Sequence, residues 1–202
     1  MVKTNILLFP ALCLAVSGCG APDTQMATFV SDDGTVRFQH PANLQPTADF
    51  KGRALLQSGW RVVWNGEEVG NGQGIARLTL PARAADGSAI SEIVQIGHSR
   101  DPAVVASCTS YGLSSGNGMR LPDSAINGHN WTAYTSSDAG MSQSVKAVNY
   151  RLVHHDTCYS MDRISYAVRA AKAADDAWDE PQAGQAIDAV LASVQILDAP
   201  RH

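Results

Sequence analysis

The stretch from Ser142 to Val168 constrains the fold of this 202-residue chain more than any other. Val148, Tyr150 and Leu152 alternate there with Asn149 and Arg151, and residues two apart share one face of a strand. His154-His155-Asp156 interrupts the apolar pattern and Thr157 to Val168 resumes it. The pattern predicts two antiparallel strands, Ser142 to Val153 and Thr157 to Val168, joined by a short turn. Val153 and Cys158 then lie near the closed end of that hairpin.

Other segments extend the same β-rich reading. Phe29-Val30 and Val36-Arg37-Phe38 flank the turn dipeptide Asp33-Gly34 and predict a short hairpin, whose pairing Pro41 is expected to stop because it has no N–H to donate. Trp60-Arg61-Val62-Val63-Trp64 favours strand, and Gly74 to Leu80 alternates, which predicts a second hairpin with the glycine-rich run Gly70 to Gly74 at its tip. Ile90 to Gly97 is a further strand, and Ala125 to Tyr134 reads as two strands turning at Asn127-Gly128. Tyr111 to Pro122 is rich in glycine and lacks periodicity, so it is expected to be a loop.

Two helices complete the pattern. Asp101 before Pro102 offers a capping side chain followed by proline at the first helical position, so Pro102 to Ser107 should form a short helix carrying Cys108 at its end. Ala183, Ala186, Ile187, Val190 and Leu191 recur at helical spacing and predict a helix from Pro181 or Gln182 to Ser193, with its apolar stripe against the sheet. Val194 to Leu197 returns as a closing strand. The fold class is α+β: an antiparallel sheet with helices packed against it.

The N-terminus supplies an address. Lys3 precedes the apolar run Ile6 to Val16, which is too short to span a bilayer, and small residues lead straight into a cysteine at Val16-Ser17-Gly18-Cys19. This order resembles the lipobox of bacterial lipoproteins. The resemblance implies that residues 1–18 are a lipoprotein signal peptide, that Cys19 is the lipidated first residue of the mature chain, and that 19–28 is a tether. A multiply acylated cysteine anchors a domain without spanning the membrane. Gly20, where similar lipoproteins retained in the inner membrane carry aspartate, points to the periplasmic face of the outer membrane.

The remaining chain, residues 29–198, is long enough for one domain. The mature chain keeps all 19 acidic residues and loses one of 15 basic ones with the signal. It has no basic run to follow a phosphate backbone, which argues against nucleic acid as a partner. Cys13 leaves with the signal and Cys19 takes the lipid. Cys108 and Cys158 are left as a pair in an oxidising compartment, where a disulfide is expected over two separate buried thiols.

A wider resemblance rests on Trp60 to Leu80, Ile96 to Cys108, Asn127 to Tyr134, Ala139-Gly140-Met141-Ser142, Tyr150 to His154, Cys158-Tyr159 and Leu191-Ala192-Ser193. Together they resemble a group of uncharacterised proteobacterial lipoproteins with a PsbP-like fold, an α/β/α sandwich. The resemblance implies a binding or assembly module, with no catalytic residue to carry over.

Residues able to carry chemistry are few. Gly112-Leu113-Ser114-Ser115-Gly116 has the written form of a serine-hydrolase elbow. No helix signal follows it, however, and Ser114 would need Asp156 or Asp162 with His202. His154 and His155 in their turn, joined by His129, offer ligands for zinc or copper if the turn bends the two adjacent rings together. The glycine run Gly70 to Gly74 opens no helix and so cradles no phosphate; no cofactor is expected. Trp60, Trp64, Trp131 and Trp178 read as packing residues, and Trp131 with Tyr134 would form a partner surface if both were exposed. The leading expectation is therefore a lipid-anchored periplasmic module that binds another envelope protein or peptidoglycan without catalysis. The alternative is an envelope hydrolase or metal-binding protein using the loop serine or the His154-His155 turn.

Overall fold

The computed structural model describes residues 25–53, 55–64, 68–110 and 118–198. In chain order the elements are β1 (Met26–Val30), β2 (Val36–Pro41), β3 (Gln73–Arg83), β4 (Ser88–Ser99), α1 (Pro102–Ser107), β5 (Gly118–Arg120) and β6 (Ser124–Ile126). They continue with β7 (His129–Gly140), β8 (Gln143–His154), β9 (Thr157–Lys172), β10 (Trp178–Asp179), α2 (Glu180–Ser193) and β11 (Gln195–Ile196). The architecture is α+β. Among the described residues no helix is long and apolar enough to cross a membrane.

The larger sheet runs in the order β10-β3-β4-β9-β8-β7-β5, with β6 also on β7, and β10 on β3 is its parallel pairing. Its centre is the long β8–β9 hairpin, paired from Gln143↔Val168 to His154↔Thr157. The register puts Leu78, Val94, Met161 and Leu152 on one face, and Ile93, Ile164, Ala147 and Asp162 on the other.

The first face receives α2. Ala183, Ile187, Val190 and Leu191 are buried there in one cluster with Leu78, Leu80, Val94 and Met161, each large side chain contributing about 1.5–3 kcal/mol by leaving water. The smaller sheet, β1-β2-β11, adds Val36, Phe38 and Ile196 to the same core. The C-terminal end of α2 is held by Asn127, whose amide donates to the carbonyls of Ala192 (2.8 Å) and Val194 (2.7 Å). Those are backbone acceptors a helix end leaves unpaired. Asn127 (φ 45°) and Gly128 (φ 83°) form the left-handed β6–β7 turn that aims this amide.

The second face is covered by chain laid on top of the sheet. Trp60 to Trp64 are all buried, and the strand expected there does not form; Trp64 makes an isolated bridge to Leu56. Its backbone polar groups are met from below. Asp162 accepts from the Val62 N–H at 2.7 Å, and the Gln95 amide donates to the Gly59 carbonyl at 2.9 Å. Buried backbone groups outside a ladder require such partners, which accounts for polar residues on an otherwise apolar face.

The glycine run is correspondingly not the tip of a paired hairpin. A Cβ on Gly72 would stand 2.3 Å from the Trp60 indole and one on Gly74 2.2 Å from the Phe50 ring, so these glycines admit aromatic rings against the backbone. Three smaller expectations also change. β1 begins at Met26, inside the segment read as a tether, because Met26 to Thr28 find partners in Gln39 to Pro41. Pro41 therefore closes β2 from within the pairing. Gly118–Arg120, read as loop, adds an edge strand by pairing with Tyr134 to Ser136.

Candidate functional site

Polar chemistry reaches the surface at the hairpin end and in a groove beside α2. The first is the end of the β8–β9 hairpin. His155 (φ 46°) and Asp156 (φ 54°) take the left-handed turn that closes long hairpins. Strand geometry alone would send adjacent histidines to opposite faces. The turn instead brings the rings of His154 and His155 to 4.0 Å between centroids. His129, the first residue of β7, lays its ring 4.8 Å from that of His154.

A carboxylate not anticipated from the sequence joins them. Asp198 Oδ1 lies 2.9 Å from His155 Nε2 and 3.4 Å from His154 Nε2. Hydrogen bonds from His154 and then His155 hold the Asp198 carboxyl below the usual carboxylate range. Its position is fixed by the residue before it, since the Leu197 N–H donates to the Thr35 carbonyl at 2.8 Å.

The second region is a groove of about 880 Å³ beside α2, over the β8 and β7 half of the first face. Val148, Thr135, Ser137 and Lys146 form its floor and Met119 its outer rim. Arg163 stands where the groove meets α2, donating from Nε to Asp188 at 2.7 Å and lying 3.3 Å by Nη1 from Glu92 Oε2. Gly184 leaves the space beside it, because a Cβ there would sit 3.2 Å from Arg163 Nη2. Glu92 is almost wholly buried, and that burial pushes its carboxyl above the ordinary glutamate value despite a hydrogen bond from Ser165 and the charge of Arg163.

Trp131 and Tyr134 do not form a partner surface. They are 1% and 2% exposed, and a separation of three residues places them on opposite faces of β7. Cys108 and Cys158 are joined by a disulfide, with a Cα–Cα distance of 5.7 Å. Cys19, Ser114 and His202 lie outside the described residues.

Of the two acids considered for a hydrolase, Asp156 is a turn residue. Asp162 is fully buried, accepting from Arg151 Nη1 (2.6 Å), Val62 N (2.7 Å) and Ser160 Oγ (3.1 Å). A smaller pocket of about 350 Å³ contains Asp33 and His98, with His98 Nδ1 3.9 Å from Asp33 Oδ2. Asp33 spends its Oδ1 on Ser31 and Thr35, and burial lowers the His98 pKa. Among the described residues the histidine rings hydrogen-bond to Pro41 O and Asp198, not to a serine hydroxyl.

No protein-family model matches the sequence, and no curated protein matches it. Solved structures give distant likenesses. A protein of Bacteroides thetaiotaomicron is 9% identical with a TM-score of 0.41, over 85% of this chain and 48% of that one, so this chain spans about half its length. LpqN of Mycobacterium tuberculosis, a protein involved in cell envelope biogenesis, is also 9% identical with a TM-score of 0.41, over 87% of this chain and 91% of its own. At that distance neither bears on what this chain does.

The raised pKa of Glu92 has a measurable consequence. The folded state holds this proton to higher pH than the unfolded chain, so the group's contribution to stability is present at low pH and is lost as pH rises through the folded pKa. Glu92→Gln removes that titration. Relative to the native protein, the variant should gain stability as pH rises from the ordinary value of 4.5 towards neutrality, read as urea midpoints across that range. Parallel profiles would mean that Arg163 compensates the buried carboxylate fully.

Proposed function

We propose that this protein is a lipid-anchored binding and assembly module of the bacterial envelope, related to the PsbP-like lipoproteins and held through Cys19 on the periplasmic face of the outer membrane. The binding unit begins with β1 at Met26 and runs to residue 198, and the ligand is an extended segment of another envelope protein. The groove beside α2 carries this reading. Its volume of about 880 Å³ falls within the range of binding clefts. It combines an exposed apolar rim at Met119 with hydroxyls at Thr135 and Ser137 and charges at Lys146 and Arg163.

Arg163 is held between Glu92 and Asp188, so it meets a ligand without first being ordered. Binding is the whole activity in this reading, with no bond made or broken. The lipobox order Val16-Ser17-Gly18-Cys19 supports the anchor.

The test is site-specific crosslinking in whole cells, with a photoreactive residue at Met119 of the lipidated protein and a control at Val30, which is 52% exposed on β1. One envelope protein should be captured from Met119 and not from Val30, and Arg163→Glu should reduce the capture. Identical patterns from both positions would overturn the groove as the binding site. Peptidoglycan fragments at Met119 would transfer the ligand to the cell wall.

A further inference from the structure

We infer that His154, His155 and Asp198, with His129, form a binding site for a divalent transition-metal ion, zinc by preference, that fastens the C-terminal tail to the β8–β9 turn. The donor atoms of His154, His155 and Asp198 all lie within 4.8 Å of one another. Tetrahedral zinc with ligand bonds near 2.0–2.1 Å sets its donors about 3.3 Å apart. The Nε2–Oδ1 separations of 2.9 Å and 3.4 Å bracket that spacing. Imidazole nitrogens with one carboxylate oxygen are a donor set that suits zinc and also copper.

Three separately anchored pieces of backbone bring these donors together. His154 pairs with Thr157 at the closed end of the hairpin. Leu197 is bonded to Thr35 immediately before Asp198. His129 pairs with Ile126 across the turn whose Asn127 holds the end of α2. The convergence therefore does not depend on a single mobile side chain. His129, whose ring lies 4.8 Å from that of His154, stands outside this group of three and supplies a fourth donor by rotation of its side chain.

Coordination would link β7, the β8–β9 turn and the tail after β11. Ions that bind only the folded state stabilise it, so the site should also raise the melting temperature. This inference is independent of the groove: the protein can bind zinc whether or not it binds another envelope protein.

The experiment is calorimetric titration of the full chain in detergent, without a polyhistidine tag, using zinc chloride and separately copper chloride. One ion should bind per chain. His155→Gln and Asp198→Asn should each weaken binding at least about tenfold, the low end of the effect of removing even an outer partner of a metal ligand. Zinc should raise the melting temperature of the native chain and of His40→Gln, a histidine bonded to Pro41 O away from the cluster, but not that of Asp198→Asn. His155 and Asp198 have exposed side chains while His40 is buried, so the folding of each variant is checked by its melting without metal. Binding below one ion per chain, or equal affinity in Asp198→Asn and the native protein, would overturn the site.

Discussion

Arg151→Met should destabilise the protein by about 3–5 kcal/mol, the range for removing one partner of a buried ion pair. Arg151 and Asp162 have side chains 1% and 0% exposed and meet at 2.6 Å. Charges this deep are stabilised by each other and by their hydrogen bonds, and removing one leaves the other in a medium that solvates it poorly. Asp162 has a second task, because its other oxygen accepts from Val62 N and Ser160 Oγ. Through Val62 it fastens Trp60 to Trp64 onto the sheet.

These two tasks can be separated. In Arg151→Met with Asp162→Asn, both charges are gone while a side-chain carbonyl remains to accept from Val62. The double variant should therefore be more stable than Arg151→Met alone, although the charge pair is absent. Urea unfolding of the native, single and double variants measures this, and the coupling follows from the cycle. If the double variant is no better than Arg151→Met, the loss lies in packing around the guanidinium, which sits 5.4 Å over the Tyr134 ring. The pair would then be a spacer and not an electrostatic keystone.

Most elements of the fold were legible because periodicity and turn chemistry agree locally. Val148, Tyr150 and Leu152 alternate as a strand must, Asp101-Pro102 starts a helix, and Ala183, Ile187 and Val190 mark a helical stripe. Trp60 to Trp64 misled for a physical reason. A continuous buried run looks the same whether it pairs within a sheet or lies across one, and the distinguishing acceptor, Asp162, is 100 residues away from Val62.

The spacing of Trp131 and Tyr134 already placed them on opposite faces; spacing does not reveal that both faces are covered. The histidine cluster was half legible. Three rings could be grouped from the two hairpin turns, but Asp198 arrives only because β11 pairs with β2 and carries the tail past the turn. The groove left no signal. It exists because a helix about 10–12 Å across covers two or three strands spaced about 4.8 Å apart, and α2 is the helix packed on that face of a much wider sheet.

Replacing both Cys108 and Cys158 by alanine should lower stability by about 4 kcal/mol, from the chain-entropy cost of opening a loop of this length. The bond closes a sequence separation of 50 that contains β5, β6, β7 and β8. These strands form one side of the larger sheet and include the floor and rim of the groove. The cystine is also packed, since both cysteines are fully buried with Trp60 and Val104. Alanines leave a small void there, which adds to the loss. The bond joins the end of α1 to the start of β9, so it fastens the helix to the sheet's centre as well as closing the loop. Denaturant unfolding with and without a thiol reductant gives the size of the effect, and the alanine pair shows whether reductant acts through this bond alone. A fall near the expected size in both, with reductant harmless to the alanine pair, assigns the loss to the crosslink. A loss below about 1 kcal/mol would mean that the unfolded chain already holds these residues close, so that the crosslink removes little chain entropy.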